Sequence, residues 1–342
     1  MNKTIKISGR SENLHFIRFI AAIGVMICHC FSITEGRIDR EWLYRLTGGQ
    51  LNFGLLSVAI FFLAAGFFIS RSVEKPQSAG AFFTARAIRI FPPLIFVCVT
   101  VILAGSLFSE LSAREYFTSA QTWKYMLNSV FIPVHNLPGV FLDNPYLPTV
   151  NGSLWTLPIE FACYIACYLM YKWKMTTQKG YALTIPLACV GFIVTRLIGQ
   201  RLPMVENLLI PCFFFYIGIG YWVYHDRIVL KRSYSAASFI LIVIGCLIGQ
   251  GKAALLLGLP YILFSLSFAD RQVPKGAGNL GDYSYGMYLW GFPVQQAVQS
   301  CMKEAGTPVR NLLFAVPLTI LLGMMTYFVV EKQINRVQKK TT

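Results

Sequence analysis

Residues 18–30 read "RFIAAIGVMICHC", and the stretch between Arg18 and His29 is almost wholly apolar. The apolar run extends over 14–34, which is long enough for an α-helix that crosses a bilayer. Ionisable groups inside such a helix are energetically costly and usually serve a function. Eleven residues turn an α-helix through roughly three full turns plus 20°, so Arg18 and His29 share one face, about 16 Å apart along the axis. The stretch therefore predicts a membrane helix with a fixed cation near one end and an imidazole deep inside.

The whole chain has the composition of a polytopic membrane protein. Its 342 residues are 55% hydrophobic and 13% charged, and the mean hydropathy is +0.55. We expect one all-α membrane domain over residues 1–342, with about ten transmembrane helices bundled around a polar cavity and no fused soluble domain. The predicted spans lie near 14–34, 51–70, 91–109, 153–173, 181–199, 207–224, 234–250, 252–268, 283–301 and 311–330.

The charged residues indicate how the chain is oriented. The segments between spans on the N-terminal side, counted together with Arg18, hold 20 of the 30 Lys and Arg residues. The opposite segments hold the other 10, diluted by most of the acidic residues. Because basic segments stay in the cytoplasm, both termini are predicted to be cytoplasmic. This alternation also explains the net charge of +15 without a nucleic-acid partner.

The longest predicted external loop covers residues 110–152. It contains "FIPVHNLPGVFLDNPYLPTVNG", which is too apolar for a simple linker and rich in Pro, Gly, Asn and aromatic residues. We expect it to fold as a cap or a re-entrant segment over a cavity. The nine cysteines lie mostly within apolar runs and lack the spacing of a metal site, so we predict packing roles for them and no bound metal.

Two arginines open the third predicted span in "FFTARAIRIFPP" (82–93). Arg86 and Arg89 are three residues apart and therefore lie on one helical face. Two adjacent guanidinium groups suit a phosphate or pyrophosphate. Ordinary anchoring of a basic helix end explains the same spacing, and contact with lipid phosphates would account for Arg18.

The stretch "NGSLWTLPIEFACYI" (151–165) enters the fourth span from outside. Asn151, Gly152 and Ser153 are predicted to supply a turn and the helix N-cap, and Pro158 is expected to free a backbone carbonyl and kink the helix. Glu160 would then lie at a depth similar to that of His29. A carboxylate there needs a partner, and an imidazole, an arginine or a substrate hydroxyl would each serve. Hydrogen bonds that stabilise helix packing remain an alternative for both Glu160 and His29.

The stretch "LGDYSYGMYLWGFPV" (280–294) begins the ninth span. Asp282 is the predicted N-cap of this helix. The aromatic residues that follow form either an interface belt or a cavity wall; they are Tyr283, Tyr285, Tyr288 and Trp290.

Taken together, these segments resemble the membrane-bound acyltransferase 3 family of bacterial O-acyltransferases. Arg18 and His29 match the family's R-x10-H pattern, and "RAIRIFPP" resembles its R-x-x-R segment. Further similar segments are "LSVAIFFLAAGFFISRS" (56–72), "GSLWTLPIEF" (152–161), "YSYGMYLWGFPV" (283–294) and "VEKQINR" (330–336). The resemblance covers nearly the whole chain, and the order of the motifs makes it specific.

The chain departs from the family pattern at two positions. Gly291 replaces a histidine that many members carry after Leu-Trp, so that imidazole cannot be essential here. Ala59 stands where the family often has an aspartate, which makes Glu160 the more attractive partner for His29.

The resemblance implies transfer of an acetyl group from cytoplasmic acetyl-CoA to an acceptor on the periplasmic side of the bacterial inner membrane. Arg18, Arg86 and Arg89 would bind the phosphates of the donor. His29 would deprotonate the acceptor hydroxyl with Glu160 orienting it, or would accept the acetyl group itself.

The acceptor implied by the resemblance is a sugar of a surface polysaccharide, such as an O-antigen or capsule repeat unit. Ser153, Trp155 and Tyr288 are the predicted acceptor-binding residues. The lipid bilayer is the other expected partner.

Two other functions remain open on the sequence alone. A transporter could move a solute or acyl donor past the same polar groups, although no inverted repeat of the kind many transporters carry is evident. A non-catalytic partner in a glycan-assembly complex is the third reading, favoured only by Gly291.

Overall fold

The computed structural model describes residues 11–269, 273–274, 276–334 and 336, and the backbone of residues 3–4. Helices dominate this part of the chain. The α-helices are α1 (Glu12–Glu35), α2 (Trp42–Leu46), α3 (Phe53–Val73), α4 (Ala79–Gly105), α5 (Ala113–Thr118), α6 (Ala120–Lys124), α7 (Thr156–Lys172), α8 (Gln178–Gly199), α9 (Pro203–Val223), α10 (Arg232–Leu247), α11 (Gly251–Ser267), α12 (Ser284–Met302) and α13 (Pro308–Thr326). Two short strands, Lys3–Thr4 and Val229–Leu230, pair antiparallel. Three 3-10 turns (Tyr125–Val130, Ala277–Tyr283 and Lys303–Ala305) and a π-helical turn (Tyr327–Glu331) complete the elements.

Every predicted span overlaps an α-helix in the structure. Among the described residues, six helices are long and apolar enough to cross a membrane: α1, α3, α4, α8, α9 and α13, the last continued to Ile334. The remaining overlaps are with α7, α10, α11 and α12, which are shorter or more polar. The structure thus shows a helical protein with the character of a multi-pass membrane protein, while the count of ten spans and the side of the termini remain predictions.

Helix α1 is the central element and packs against α3, α11, α12 and α13. A buried apolar core lies on one side, formed mainly by α3, α7, α9 and α11. A second core lies on the other side, formed by α4, α12 and the segment between α4 and α7. The polar side chains of α1 therefore lie between two apolar cores.

Two glycines allow α3 and α9 to pack backbone to backbone. A Cβ atom on Gly66 of α3 would lie 2.0 Å from the carbonyl oxygen of Phe215, and one on Gly218 of α9 would lie 2.3 Å from that of Leu63. Only glycine fits at either position. Small residues at such crossings are typical of membrane helix pairs, because close backbone approach supplies the packing contacts.

The segment 110–152 is folded, as its composition predicted. It contains α5, α6 and the first 3-10 turn, and its apolar side chains pack into the second core. Tyr116 is fully buried, and its hydroxyl donates a hydrogen bond of 2.9 Å to the carbonyl oxygen of Ile102 in α4. The segment is therefore a fixed part of the fold that lies against α4 and α12.

The structure corrects two predicted helix caps, and one helix extends well beyond its predicted span. Helix α4 begins at Ala79, twelve residues before the span predicted near 91–109, and Ser78 caps it by accepting a hydrogen bond from the backbone N–H of Ala81. Helix α7 begins at Thr156, because the Ser153 hydroxyl is engaged by Asn151 and does not cap it. Helix α12 begins at Ser284, because Asp282 belongs to a preceding 3-10 turn.

The corrected start of α7 also changes the role of its proline. Pro158 is the third residue of α7, where a backbone N–H has no acceptor within the helix. A proline in the first turn therefore costs no hydrogen bond and requires no kink.

Candidate functional site

Three adjoining cavities follow the polar face of α1. We call the first the arginine cavity; its volume is about 430 Å³, and its charged and aromatic lining consists of Arg18, Arg86, Arg89, Asp282, Tyr285 and Glu331, with His15 and Tyr327 beside them. The second, the connecting cavity, is only about 70 Å³ and is lined by the same arginines together with Glu160, Tyr164, Tyr285 and Tyr288. The third, the histidine cavity, is about 640 Å³, and its polar lining includes His29, Asn52, Ser153, Trp155, Lys252 and Tyr288.

Helices α1 and α4 supply the cations of the arginine cavity. Arg86 and Arg89 lie one turn apart on α4, as their spacing predicted, and face Arg18 of α1 across the same space. The guanidinium of Arg86 also lies over the ring of Phe82 at 5.7 Å, which holds its side chain against α4. Three fixed positive charges therefore converge on one volume.

The hydrogen-bonding state of these arginines suits an anionic ligand. Within the described residues, none of the three forms an ion pair with a carboxylate closer than 4.0 Å. The Nε atom of Arg86 is buried and has no hydrogen-bond acceptor. A buried donor without a partner carries a free-energy cost that a bound phosphate oxygen would remove. The residues present thus fit an anionic group such as a phosphate.

Glu160 lies in the connecting cavity, beside the arginines. Its Oε1 atom accepts a hydrogen bond from the hydroxyl of Tyr164, one turn further along α7. Arg18 and Glu160 both line this cavity, so the carboxylate is placed to moderate the excess positive charge there.

Tyr288 stands where the connecting and histidine cavities meet. These two cavities share only Val58 and Tyr288 among their lining residues. The Tyr288 hydroxyl donates to the carbonyl oxygen of Ser153 at 2.5 Å and also lies 2.6 Å from the hydroxyl of Thr156. The ring is therefore fixed between the start of α7 and α12, and it narrows the route from the arginines to the histidine.

His29 faces the histidine cavity from α1. Its ring packs edge-on against Phe292, with 5.0 Å between ring centroids. Its Nδ1 atom is buried and has no hydrogen-bond partner. A structural histidine is normally satisfied by hydrogen bonds, so this orphan nitrogen favours a role in binding or proton transfer.

The three predicted acceptor-binding residues all line the histidine cavity, but they differ in whether their side chains are already engaged in hydrogen bonds. The Ser153 hydroxyl donates to Oδ1 of Asn151 at 2.7 Å and lies 3.3 Å from the carbonyl oxygen of Tyr288. The hydroxyls of Ser153 and Tyr288 thus serve the fold in this structure. The ring of Trp155 is half-buried and remains available to a ligand.

The structure brings the predicted residues together in two groups. Arg18, Arg86 and Arg89 share the arginine cavity, and His29 lies with Trp155 in the histidine cavity. Glu160 and His29 line different cavities, which share Val58 and Tyr288. Among the described residues, Glu160 accepts a hydrogen bond from Tyr164, and His29 Nδ1 has no hydrogen-bond partner. Orientation of His29 by Glu160 therefore stays a prediction that no hydrogen bond in this structure supports.

Two acidic residues line the arginine cavity although the sequence predicted no part for either in a ligand site. Asp282 was predicted only as a helix N-cap, and Glu331 was noted only as part of the segment 330–336. Glu331 ends the π-helical turn that follows α13, and its Oε1 atom is buried without a hydrogen-bond partner. Turns of this kind are frequent at functional sites. The acidic residue directly after the last apolar run was the signal available in the sequence.

Comparison with known proteins identifies the family. The family model of the acyltransferase 3 family, described as an acyltransferase domain, matches residues 11–329. The chain is 27% identical to the "O-acetyl transferase" of Shigella phage Sf6, over 92% of this chain and 93% of that protein. It is 23% identical to the "Exopolysaccharide production protein ExoZ" of Rhizobium meliloti (strain 1021), over 85% and 92% of the two chains.

A third relative matches in part: "Nodulation protein 10" of Rhizobium leguminosarum bv. viciae is 28% identical over 54% of this chain and 50% of that protein. No solved structure matches.

Proposed function

Because this chain belongs to the acyltransferase 3 family, we propose that it transfers an acetyl group from cytoplasmic acetyl-CoA to a sugar hydroxyl of a surface polysaccharide at the periplasmic side of the bacterial inner membrane. Family membership makes the chain an O-acyltransferase enzyme, which leaves the transport and non-catalytic alternatives without support. The donor, the acceptor and the sidedness are our proposal.

The arginine cavity is the proposed donor site. Acetyl-CoA supplies an acetyl group activated as a thioester, together with several phosphates. Arg18, Arg86 and Arg89 bind those phosphates, and the buried Nε of Arg86 gains an acceptor. Glu160 limits the excess of positive charge where the arginine cavity narrows toward Tyr288.

The histidine cavity is the proposed site of chemistry. His29 Nδ1 has no hydrogen-bond partner in the part of the protein that the structure describes, and this is the observation that carries the proposal. The imidazole takes the proton of the acceptor hydroxyl as that oxygen attacks the acetyl carbonyl. The thioester C–S bond then breaks, and the CoA sulfur leaves as a thiol with the proton returned from the imidazolium. A positioned general base contributes about 10²–10⁴-fold to such a reaction. Covalent transfer through the imidazole itself remains the alternative route.

The acceptor is assigned by chemistry and by relatives. The names of two relatives state O-acetyl transfer and exopolysaccharide production. The histidine cavity offers Trp155 and Tyr146 as aromatic surfaces against which a sugar ring can pack, and its volume of about 640 Å³ admits a sugar. These features support a polysaccharide sugar as acceptor, such as one of an O-antigen or capsule repeat unit.

The test is the O-acetyl content of cell-surface polysaccharide, measured by NMR in cells that carry wild type, His29→Ala, His29→Asn or no protein. Membrane levels are matched before comparison. We expect acetyl groups with wild type only, because neither replacement retains the basic nitrogen. His225→Ala is the matched control, since that ring stacks on Trp222 and lines none of the three cavities.

Acetylation by His29→Ala at the wild-type rate would show that the histidine is structural. No acetylation by wild type would refute the polysaccharide acceptor.

A further inference from the structure

The histidine cavity has an unbalanced charge. Lys252 is the one charged residue in its lining besides the titratable His29, and the described lining contains no Asp or Glu. A cavity in which a single cation faces neutral groups attracts anions, because the low-dielectric walls of a cleft focus the field of that charge. The role proposed above for this cavity accounts for His29 and Trp155 but leaves Lys252 unexplained.

Lys252 is held in place by a buried carboxylate. Its Nζ atom lies 2.6 Å from Oε2 of Glu206, and the guanidinium of Arg196 binds the other oxygen of the same carboxylate. The Glu206 side chain is only 7% exposed, whereas those of Arg196 and Lys252 are 28% and 27% exposed. One carboxylate between two cations leaves one positive charge in excess. Such an arrangement orients the ammonium group without neutralising the cluster.

The backbone of α11 adds to the positive electrostatic potential at Lys252. Lys252 is the second residue of α11, and the positive end of a helix dipole lies within its first turn. The side chain of Gln50 fixes this helix end, because its Oε1 accepts from the N–H of Gly251 at 2.6 Å and its Nε2 donates to the carbonyl oxygen of Cys246. These hydrogen bonds fix the start of α11, and Lys252 lines the cavity from there.

From these observations we infer that Lys252 makes this enzyme selective for an acceptor that carries an anionic oxygen group near the hydroxyl to be acetylated. This inference rests on the proposed function and narrows its substrate class. The anionic group is either the carboxylate of an acidic sugar or a phosphate linked to the glycan, and both would bind the ammonium group by charge-assisted hydrogen bonds.

The experiment uses membranes with the full-length protein, radiolabelled acetyl-CoA and a defined acceptor. The acceptor is surface polysaccharide from cells that carry the His29→Ala variant, offered intact, after chemical reduction of its carboxyl groups, or after removal of its phosphates. We expect wild type to lose about tenfold in transfer rate on one of the two neutralised forms. The form that loses activity identifies the source of the negative charge.

Variants then test whether Lys252 binds the negatively charged group of the acceptor. Lys252→Gln should acetylate the intact polysaccharide as slowly as wild type acetylates the neutralised form, with an unchanged KM for acetyl-CoA. Lys252→Arg should restore the preference, because it keeps the charge. Lys124→Gln, an exposed lysine outside the cavity, is the matched control.

Equal transfer by wild type to all three forms would overturn the inference and leave the proposed function standing. If Lys252→Gln acetylates the three forms at the same rates as Lys124→Gln, the inference is likewise overturned and the proposed function still stands. If Lys252→Gln slowed transfer to intact and neutralised acceptors by the same factor, Lys252 would be structural and the inference would be wrong. Absence of transfer by wild type to any form would refute both the proposed function and the inference.

Discussion

Arg86 is the arginine whose surroundings most clearly require a ligand. It is half-buried with an unpartnered Nε, whereas Arg89, one turn further along α4, is exposed. We predict that Arg86→Ala raises the KM for acetyl-CoA by about tenfold, the loss expected for one charge-assisted hydrogen bond, and that Arg86→Lys recovers part of it. Steady-state kinetics on matched membranes measure this change.

Arg71→Ala is the control for that experiment. Arg71 lies 5.8 Å over the ring of Trp222 and lines none of the three cavities. An unchanged KM in Arg86→Ala would remove the phosphate-binding role from this side chain.

Two interpretations of Glu160 can be separated by experiment: it orients His29, or it moderates the positive charge of the arginines. If it oriented His29, Glu160→Gln would shift the pH dependence of kcat, because the basicity of the imidazole would change. The structure places Glu160 with the arginines and Tyr164. We therefore predict that Glu160→Gln changes the KM for acetyl-CoA and leaves the pH profile of kcat at its wild-type position.

Tyr164→Phe is a matched variant, since it removes the hydroxyl that Glu160 accepts from while keeping the carboxylate. A displaced kcat profile in Glu160→Gln alone would restore the His29–Glu160 pair as a functional unit.

At the scale of single elements, the sequence predicted the positions of the helices better than it predicted the contacts within the site. Long apolar runs are sufficient to locate a membrane helix, and each predicted span overlaps one. The helix starts were less predictable, because the cap depends on which side chain is free. Ser153 has the right residue type for an N-cap, but its hydroxyl is bound by Asn151, whose Nδ2 in turn donates to the carbonyl oxygen of Leu289 in α12. Such a contact between distant segments cannot be read from local sequence.

The crossing of α3 and α9 gives a prediction about assembly of the fold. Gly66→Ala places a Cβ atom 2.0 Å from a backbone oxygen of α9, which cannot move aside without separating the helices. We predict a destabilisation of about 1–3 kcal/mol, typical of overpacking. The midpoint of thermal unfolding in detergent should fall accordingly. Gly80→Ala is the matched control, because the nearest neighbour of its added Cβ among the described residues would be Ser78 Oγ at 3.8 Å.

A Gly66→Ala protein that unfolds at the wild-type temperature would show that the two helices can separate at little cost. The close crossing would then not be a main source of stability.

At the scale of the whole molecule, the site depends on how the helices are rotated around α1. The shared face of Arg18 and His29 follows from helix geometry alone, and both residues do face the cavities. The position of Glu160 relative to His29 depends on the packing of α7 and α12 around Tyr288. The hydrophobic periodicity of one helix carries no information about how that helix packs against others. Glu160 and His29 were predicted to lie at similar depths, but equal depth alone does not bring two side chains into contact.

The number of spans is tested by labelling cysteines with a membrane-impermeant maleimide. We predict that Lys124→Cys and Lys303→Cys react in intact cells, and that Lys75→Cys reacts only after lysis, because ten spans place the first two outside and the third inside. The exposed native cysteines Cys189 and Cys301 are first replaced by serine. Protection of Lys303→Cys in intact cells would contradict an even alternation of ten spans.

The narrow join at Tyr288 matters for the energy supply of a cell that makes this enzyme. Hollows that approach each other from the two ends of one helix would, if merged, conduct protons and dissipate the membrane potential. The Tyr288 ring, fixed by its bonds to Ser153 and Thr156, lies where the connecting and histidine cavities meet and narrows the passage between them. The proposed reaction moves a two-carbon group through this passage, and we expect the fixed ring to limit the accompanying leak of protons.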